Sequence, residues 1–200
     1  MQKHHKAAVL LALLNTSTSV FADALPQNIL SQLPTDFTAL TFKSTDINND
    51  KLKDYIVVAH RENEKKLSEQ LEDAPRRPLL VFTQKSDGTF ALSARNDYVV
   101  YAVNEGGQCD PFLDDGEGLA VKSPFFTIQN GVACGSHWTD YITFKYSPAL
   151  NDWVFHKRIF ESWIMNNDTK PDADALVRET RTVSTGSQAK PILLKDYRPD

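Results

Sequence analysis

The segment from Asp46 to Asp54 carries oxygen-bearing side chains at alternate positions, a spacing that can bind a cation. Hard cations such as Ca²⁺ take about six to eight oxygen ligands, and a tight loop can bring alternate side chains together to supply them. The predicted ligands are Asp46, Asn48, Asp50, Leu52 (through its backbone carbonyl) and Asp54. The sequence therefore predicts a structural Ca²⁺ site.

This loop departs from common calcium loops at two positions. An EF-hand ends with a bidentate Glu at position 12, whereas Val57 stands there, inside a predicted strand. Lys51 occupies the sixth position, where Gly usually makes a positive-φ turn easy. The alternative is a metal-free hairpin turn, because Asp and Asn side chains favour turns by bonding to the backbone.

Cys109 and Cys134 are the two cysteines of the chain. In an exported protein, an oxidising compartment favours a disulfide between them. The run Cys134-Gly135-Ser136-His137-Trp138 is similar to the nucleophile segment of papain-like proteases, but there the Cys opens a helix and the His lies far downstream. Here a predicted strand follows the run, so we expect a disulfide and not a thiol protease.

An acidic, glycine-rich loop follows Cys109. Its acidic residues are Asp110, Asp114, Asp115 and Glu117. A second cation site, an acidic binding edge or the centre of a metal-assisted hydrolase would fit this composition, and paired carboxylates also serve glycosidases. A solvated loop is the simpler interpretation, because nothing fixes the spacing of the ligands.

Residues 61–78 form a densely charged segment between two predicted strands. A short exposed helix or a mobile loop fits this composition. The basic residues of the segment are the candidate contacts to a partner molecule: Arg61, Lys65, Lys66, Arg76 and Arg77.

The remaining pattern predicts a mainly β fold. Short runs of β-branched and aromatic residues, separated by turn signals, favour an antiparallel meander, sandwich or open barrel with one or two short helices. We expect one domain over residues 23–200. Further expectations are a strand at Tyr98–Val103, a hairpin turn at Asn130-Gly131, a polar and loosely ordered segment 166–190, and a last docked strand within Pro191–Asp200.

The first 22 residues contain a basic region, an apolar region and a cleavage site in the order that is typical of a secretory signal peptide. Lys3 and Lys6 precede the apolar run Ala7–Leu14, which is far shorter than the ~20 residues that a membrane span needs. Cleavage is expected after Ala22, which gives a periplasmic or secreted protein without a transmembrane segment. Removal of this segment takes away two lysines and no acidic residue, which changes the formal net charge from −4 to −6. An acidic chain is not expected to bind nucleic acid.

Four motifs follow the calcium-type loop in a fixed order. They are Tyr55-Ile56-Val57-Val58, Arg77-Pro78-Leu79-Leu80-Val81-Phe82, Cys109-Asp110-Pro111-Phe112 and the strand Trp138–Tyr146. Over about residues 36–165, this order resembles uncharacterised bacterial secreted proteins and lipoproteins that carry a single calcium loop of FG-GAP/VCBS type. The resemblance implies a Ca²⁺ loop. Without a lipobox cysteine it implies an unanchored protein, and it implies no particular activity.

These observations predict an exported, non-enzymatic protein that Ca²⁺ stabilises and that binds a protein or a component of the cell envelope. The chain carries no nucleophile elbow and no P-loop. Two alternatives remain. One is an inhibitor or immunity-type protein that blocks a cell-wall hydrolase or another effector. The other is a hydrolase that uses the acidic loop 110–117.

Overall fold

The structure, a computed structural model, describes residues 24–70, 74–113 and 118–199. It contains two antiparallel sheets, each a meander in chain order. The first sheet consists of β1 (Thr38–Thr45), β2 (Asp54–His60), β3 (Leu79–Gln84) and β4 (Phe90–Asn96). The second consists of β5 (Leu119–Lys122), β6 (Phe125–Val132), β7 (His137–Ser147), β8 (Asp152–Met165) and β9 (Leu176–Thr185). The helices are α1 (Gln27–Leu30), α2 (Glu64–Gln70) and a 3₁₀ turn at Leu194–Asp196. The predicted mainly β, antiparallel fold is confirmed.

The main core lies between the two sheets. Ile56 and Val81 of the first sheet and Phe126 and Phe144 of the second belong to one buried cluster. Alternate residues of β6 and β7 point into this core, as the period of two along a strand requires. The sheets therefore pack face to face as a sandwich.

The other face of the first sheet is covered by the segment that contains α1. Ile29 is fully buried there with Tyr55, Val57 and Phe82. Because the central strands are covered on both faces, β2 is an almost continuous apolar run, and its first six residues are all buried.

The prediction of a strand at Tyr98–Val103 is wrong. This segment is irregular, and side-chain amides satisfy its backbone in place of a neighbouring strand. Asn96 accepts the N–H groups of Tyr98 (2.7 Å) and Val99 (3.1 Å). Asn130 accepts the N–H of Tyr101 (3.1 Å) and donates to the carbonyl of Val99 (3.0 Å).

Asn130 also shows why the predicted turn at Asn130-Gly131 is wrong. Both residues lie inside β6, opposite Asp140 and Thr139 of β7. The buried Asn130 amide bonds to the irregular segment after β4 and does not form a turn. The β6–β7 connection instead spans residues 133–136.

The C-terminal part is more regular than predicted in one place and less so in another. Residues 166–190 are not loosely ordered throughout, because they include β9, which pairs with β8 although nine of its ten residues are exposed. The expected last strand is reduced to one bridge between Val154 and Leu193 and the 3₁₀ turn. Asn96 fixes this end by donating to the carbonyl oxygens of Leu194 (2.6 Å) and Tyr197 (2.8 Å).

The structure bears differently on the predicted signal peptide and on the expected absence of a transmembrane segment. The predicted signal peptide, residues 1–22, lies outside them. Within them, no helix is both long and apolar enough to cross a membrane.

Candidate functional site

The calcium-type loop connects β1 and β2 and is held by its own side chains. Asp46 accepts the N–H groups of Asp50 (3.0 Å) and Lys51 (2.9 Å) through its two carboxylate oxygens. Asn48 accepts the N–H of Asp50 (3.1 Å) and donates to its carboxylate (2.9 Å). Lys51 has φ +71°, so this lysine adopts the left-handed conformation that Gly would take at the sixth position.

Asp54 has a different role from the other predicted ligands. It is 1 % exposed, and its carboxylate accepts the N–H groups of Ile47 (3.1 Å) and Gln84 (3.0 Å). Burial raises the pKa of this carboxyl group, and the backbone bonds offset only part of that effect. Asp54 therefore ties the loop to the end of β3.

The oxygen atoms of Asp46, Asn48 and Asp50 lie within one turn, whereas both oxygens of Asp54 are already engaged with backbone N–H groups. In the part of the chain that the structure describes, no group of three or more His, Cys, Asp or Glu side chains is arranged to hold a metal ion. Coordination of Ca²⁺ by Asp46, Asn48, Asp50, Leu52 and Asp54 stays a prediction.

We expect Ca²⁺ to raise the melting temperature of the protein through this loop. At a hundredfold excess over its Kd, a ligand that binds only the native state stabilises it by about 2.7 kcal/mol. Thermal unfolding in EDTA and in Ca²⁺ measures the rise, which should vanish in Asp46→Ala. Asp87→Ala is the matched control, because Asp87 also accepts a backbone N–H in an exposed turn (Thr89, 2.9 Å). Equal melting temperatures of the wild-type protein in EDTA and Ca²⁺ would contradict the prediction.

Cys109 and Cys134 form the predicted disulfide, with a Cα–Cα distance of 6.3 Å. It joins the segment after β4 to the β6–β7 connection. Of the acidic loop that follows, Asp110 is described, while Asp114, Asp115 and Glu117 lie outside the described residues.

Arg77 is buried, and its prediction as an exposed partner contact is wrong. Its side chain is 0 % exposed. It donates to both oxygens of Glu64 (3.0 and 2.6 Å) and to both oxygens of Asp110 (2.7 Å for Nη1 to Oδ1). It also donates to the carbonyl of Tyr101 (3.3 Å).

The network around Arg77 shifts the pKa values of Asp110 and Arg77 in the direction expected of a buried ion pair. Burial acts to raise the pKa of Asp110, but the bonds from Arg77 and from the N–H of Phe112 hold it below its usual value. Burial likewise acts to lower the pKa of Arg77, and the bonds to Asp110 and Glu64 raise it instead. Arg77 therefore joins α2 to the loop beside the disulfide.

The other predicted contacts of the insertion remain at the surface. Lys65 and Lys66 are exposed on α2. Arg61 is half-buried, and its guanidinium group lies 5.3 Å from the centre of the Phe37 ring. The Arg76 side chain is 44 % exposed and pairs with Glu105 (2.8 Å).

Arg76 belongs to a cluster of arginines around two aromatic rings, of which Tyr98 is exposed and Phe37 half-buried. Its guanidinium group lies 5.4 Å from the centre of the Tyr98 ring, and that of Arg198 lies 3.9 Å from it. Tyr98 is 39 % exposed. We call the group formed by Arg61, Arg76, Arg95, Arg198, Phe37 and Tyr98 the arginine surface.

Two cavities run along the arginine surface and share Arg76. One, of about 300 Å³, is lined by Arg61, Leu67 and Arg95, among others. The other, of about 320 Å³, lies between Tyr98, Tyr101, Glu105 and Arg198. Because Arg76 lines both cavities, we treat them as parts of one surface.

The structure also contains a buried polar cluster that was not predicted from the sequence. Asp140 is 0 % exposed, accepts a bond from the Tyr101 hydroxyl (2.7 Å) and pairs with Arg158 (2.9 Å). Burial, followed by the negative charge of Asp140, raises the pKa of Tyr101. A signal was present in the sequence, because Asp140 shares the inward parity of Trp138 and Ile142 in β7 and a charged residue there requires partners. The cluster braces β7 and β8 against the irregular segment.

Comparison of this chain with models of protein families, with curated proteins and with solved structures finds no match. The resemblance to secreted proteins with a calcium loop of FG-GAP/VCBS type therefore stays a prediction.

Proposed function

We propose that this chain is an exported, non-enzymatic protein that binds an acidic protein partner of the cell envelope through its arginine surface. The single observation that carries the proposal is the stacking of Arg76 and Arg198 on the exposed ring of Tyr98, at 5.4 and 3.9 Å. The Ca²⁺ predicted for the Asp46–Asp54 loop would have a structural role in this function.

Arginine and tyrosine, together with tryptophan, are enriched among the few residues that carry most of the binding energy of protein interfaces. A guanidinium group held over an aromatic ring has already lost part of its rotamer freedom, so less entropy is lost when it meets a partner. Arg198 is held further by its bonds to the carbonyl oxygens of Lys195 (3.1 Å) and Tyr197 (2.7 Å). Arg76 and Arg198 are therefore preorganised donors.

The charge of the surface indicates the chemistry of the partner. The chain as a whole is acidic, with a formal net charge of −4, yet four arginines lie together here. Arg76 and Arg95 pair with Glu105 and Asp97, but these pairs are exposed. Exposed pairs are worth only about 0–1 kcal/mol, so a carboxylate of a partner can replace Glu105 or Asp97 at little cost.

A photoreactive amino acid at Glu62, next to Arg61, tests this function. Glu62 is exposed, and so is Ser86 in the β3–β4 turn, which is the matched control position. In an extract of the source organism's cell envelope we expect one protein to be crosslinked from position 62 and not from position 86. Its identity decides between a general envelope partner and the narrower inhibitor or immunity-type function, in which it is a hydrolase or another effector. Equal crosslinking from both positions, or none from position 62, would argue against the proposal.

A further inference from the structure

A cavity of about 380 Å³ lies where the β7–β8 hairpin meets the segment after β9. Small-molecule sites occupy cavities of roughly 300–1,000 Å³ that are mostly apolar with a few polar groups. Leu150, Val154 and Pro191 supply apolar walls here, while Lys145 and His156 supply polar groups. The cavity lies in the second sheet, and none of its lining residues belongs to the arginine surface.

The walls of this cavity are fixed by backbone bonds. The N–H of Gly186 donates to the carbonyl of His156 (2.9 Å), and the N–H of Phe155 donates to the carbonyl of Ile192 (2.8 Å). A Cβ atom at position 186 would collide with the carbonyl oxygen of Phe155, so only Gly allows this close approach. The segment after β9 is therefore a firm wall tied to β8.

His156 enters the cavity from a β-bulge. Thr143 of β7 pairs with Lys157, whereas Phe144 pairs with Phe155, so His156 is the extra residue of β8. Bulges redirect side chains and occur often next to binding sites. The imidazole ring lies 4.9 Å from the Phe125 ring and lines the cavity.

Two lysines give the cavity positive charge. Lys145 lines it, and Lys157 pairs in register with Thr185, another lining residue. Neither lysine forms an ion pair with a described residue. Burial and then these two cations lower the pKa of His156, which agrees with a positive potential at this place.

We propose that this cavity binds a small amphipathic anion, namely a carboxylate on a short apolar chain. Lys145 bonds to the carboxylate, with Lys157 contributing long-range attraction. The apolar chain lies against Leu150, Val154 and Pro191. This site is independent of the proposed partner surface.

Isothermal titration of the mature chain with octanoate tests the proposal, with 1-octanol, acetate and inorganic phosphate as comparison ligands. We expect saturable octanoate binding, and we expect Lys145→Gln to weaken it about tenfold or more, since a hydrogen bond to a charged group is lost. Each CH₂ group added between acetate and octanoate should strengthen binding by up to about fourfold while it is buried. Lys85→Gln, in the exposed β3–β4 turn, is the matched control and should bind as the wild type does.

A second variant distinguishes loss of the binding site from misfolding of the protein. Leu150 is 47 % exposed, so Leu150→Asp is expected to fold normally and, by placing a carboxylate beside the ligand, to abolish octanoate binding. Melting temperatures of both variants confirm that they are folded. The proposal is overturned if the wild type shows no saturable octanoate binding, if 1-octanol or phosphate binds equally well, or if both variants bind as the wild type does.

Discussion

Replacement of Arg77 by methionine is expected to destabilise the fold by about 3–5 kcal/mol, because it leaves buried carboxylates without their cation. Glu64 and Asp110 are only 8 % and 12 % exposed, and each accepts two bonds from Arg77. Urea unfolding measures the change. Arg76→Met is the neighbouring control, since the Arg76 side chain is 44 % exposed and its loss should cost about 0.5 kcal/mol or less.

The acid dependence of stability separates this ion-pair effect from a simple loss of packing. The pKa of Asp110 lies below its unfolded value of 3.8, so the unfolded chain takes up the proton first. The stability that Asp110 contributes is present above pH 3.8 and is lost as the pH falls through the lower pKa of the folded state. The difference between wild type and Arg77→Met should therefore shrink as the pH falls through this window. A difference that does not change with pH would contradict the ion-pair account.

The double substitution Cys109→Ser/Cys134→Ser is expected to cost about 3–4 kcal/mol, according to the loop-entropy relation for cysteines 25 residues apart. The disulfide restrains the unfolded chain and also fixes the segment that carries Asp110. Urea unfolding with and without reductant measures the effect. Reductant should lower the free energy of unfolding of the wild type by the same amount and should leave that of the variant unchanged.

The disulfide and the Arg77 network should also be coupled, because Asp110 directly follows Cys109. Residues in one network show interaction energies of roughly 0.5–3 kcal/mol in double-mutant cycles. We expect Arg77→Met to cost less in the chain without the disulfide, where Asp110 is already less well held. Strict additivity of the two changes, or two free thiols found by mass spectrometry in the native protein, would contradict this part of the account.

The fold class was predictable because β-branched and aromatic residues recur in short runs separated by turn signals. β6 and β7 alternate with the two-residue period of a half-buried strand, while β2 is a continuous apolar run. The predictions of secondary structure were wrong in two situations. In one, side chains bond to the backbone groups that a neighbouring strand would otherwise pair with, and in the other, a strand lacks an apolar face. Tyr98–Val103 has a strand-like composition, yet Asn96 and Asn130 satisfy its backbone. The strand β9 shows the reverse, since it pairs with β8 while almost all of its residues are exposed.

The site was predictable in composition and not in detail. Arg76 and Arg77 are adjacent in one charged segment, and no local pattern separates the exposed arginine from the buried one. The distinction depends on Asp110, which lies 33 positions beyond Arg77. Tyr98 and Arg198 are likewise far from the insertion in sequence, so the arginine surface exists only once the chain has folded.

The dissociation constant of the complex between residues 23–200 and the protein crosslinked from position 62 tests whether the arginine surface is the binding site. We predict that Arg76→Glu/Arg198→Glu raises this constant about a hundredfold or more, as the loss of two central contacts would. Arg178→Glu/Arg181→Glu makes the same change of charge at two exposed arginines of β9, which pair with Glu161. It should alter the constant by less than about threefold, since neither arginine belongs to the arginine surface. Equal weakening by both pairs of substitutions, or no weakening by the first, would contradict the assignment of the arginine surface as the binding site.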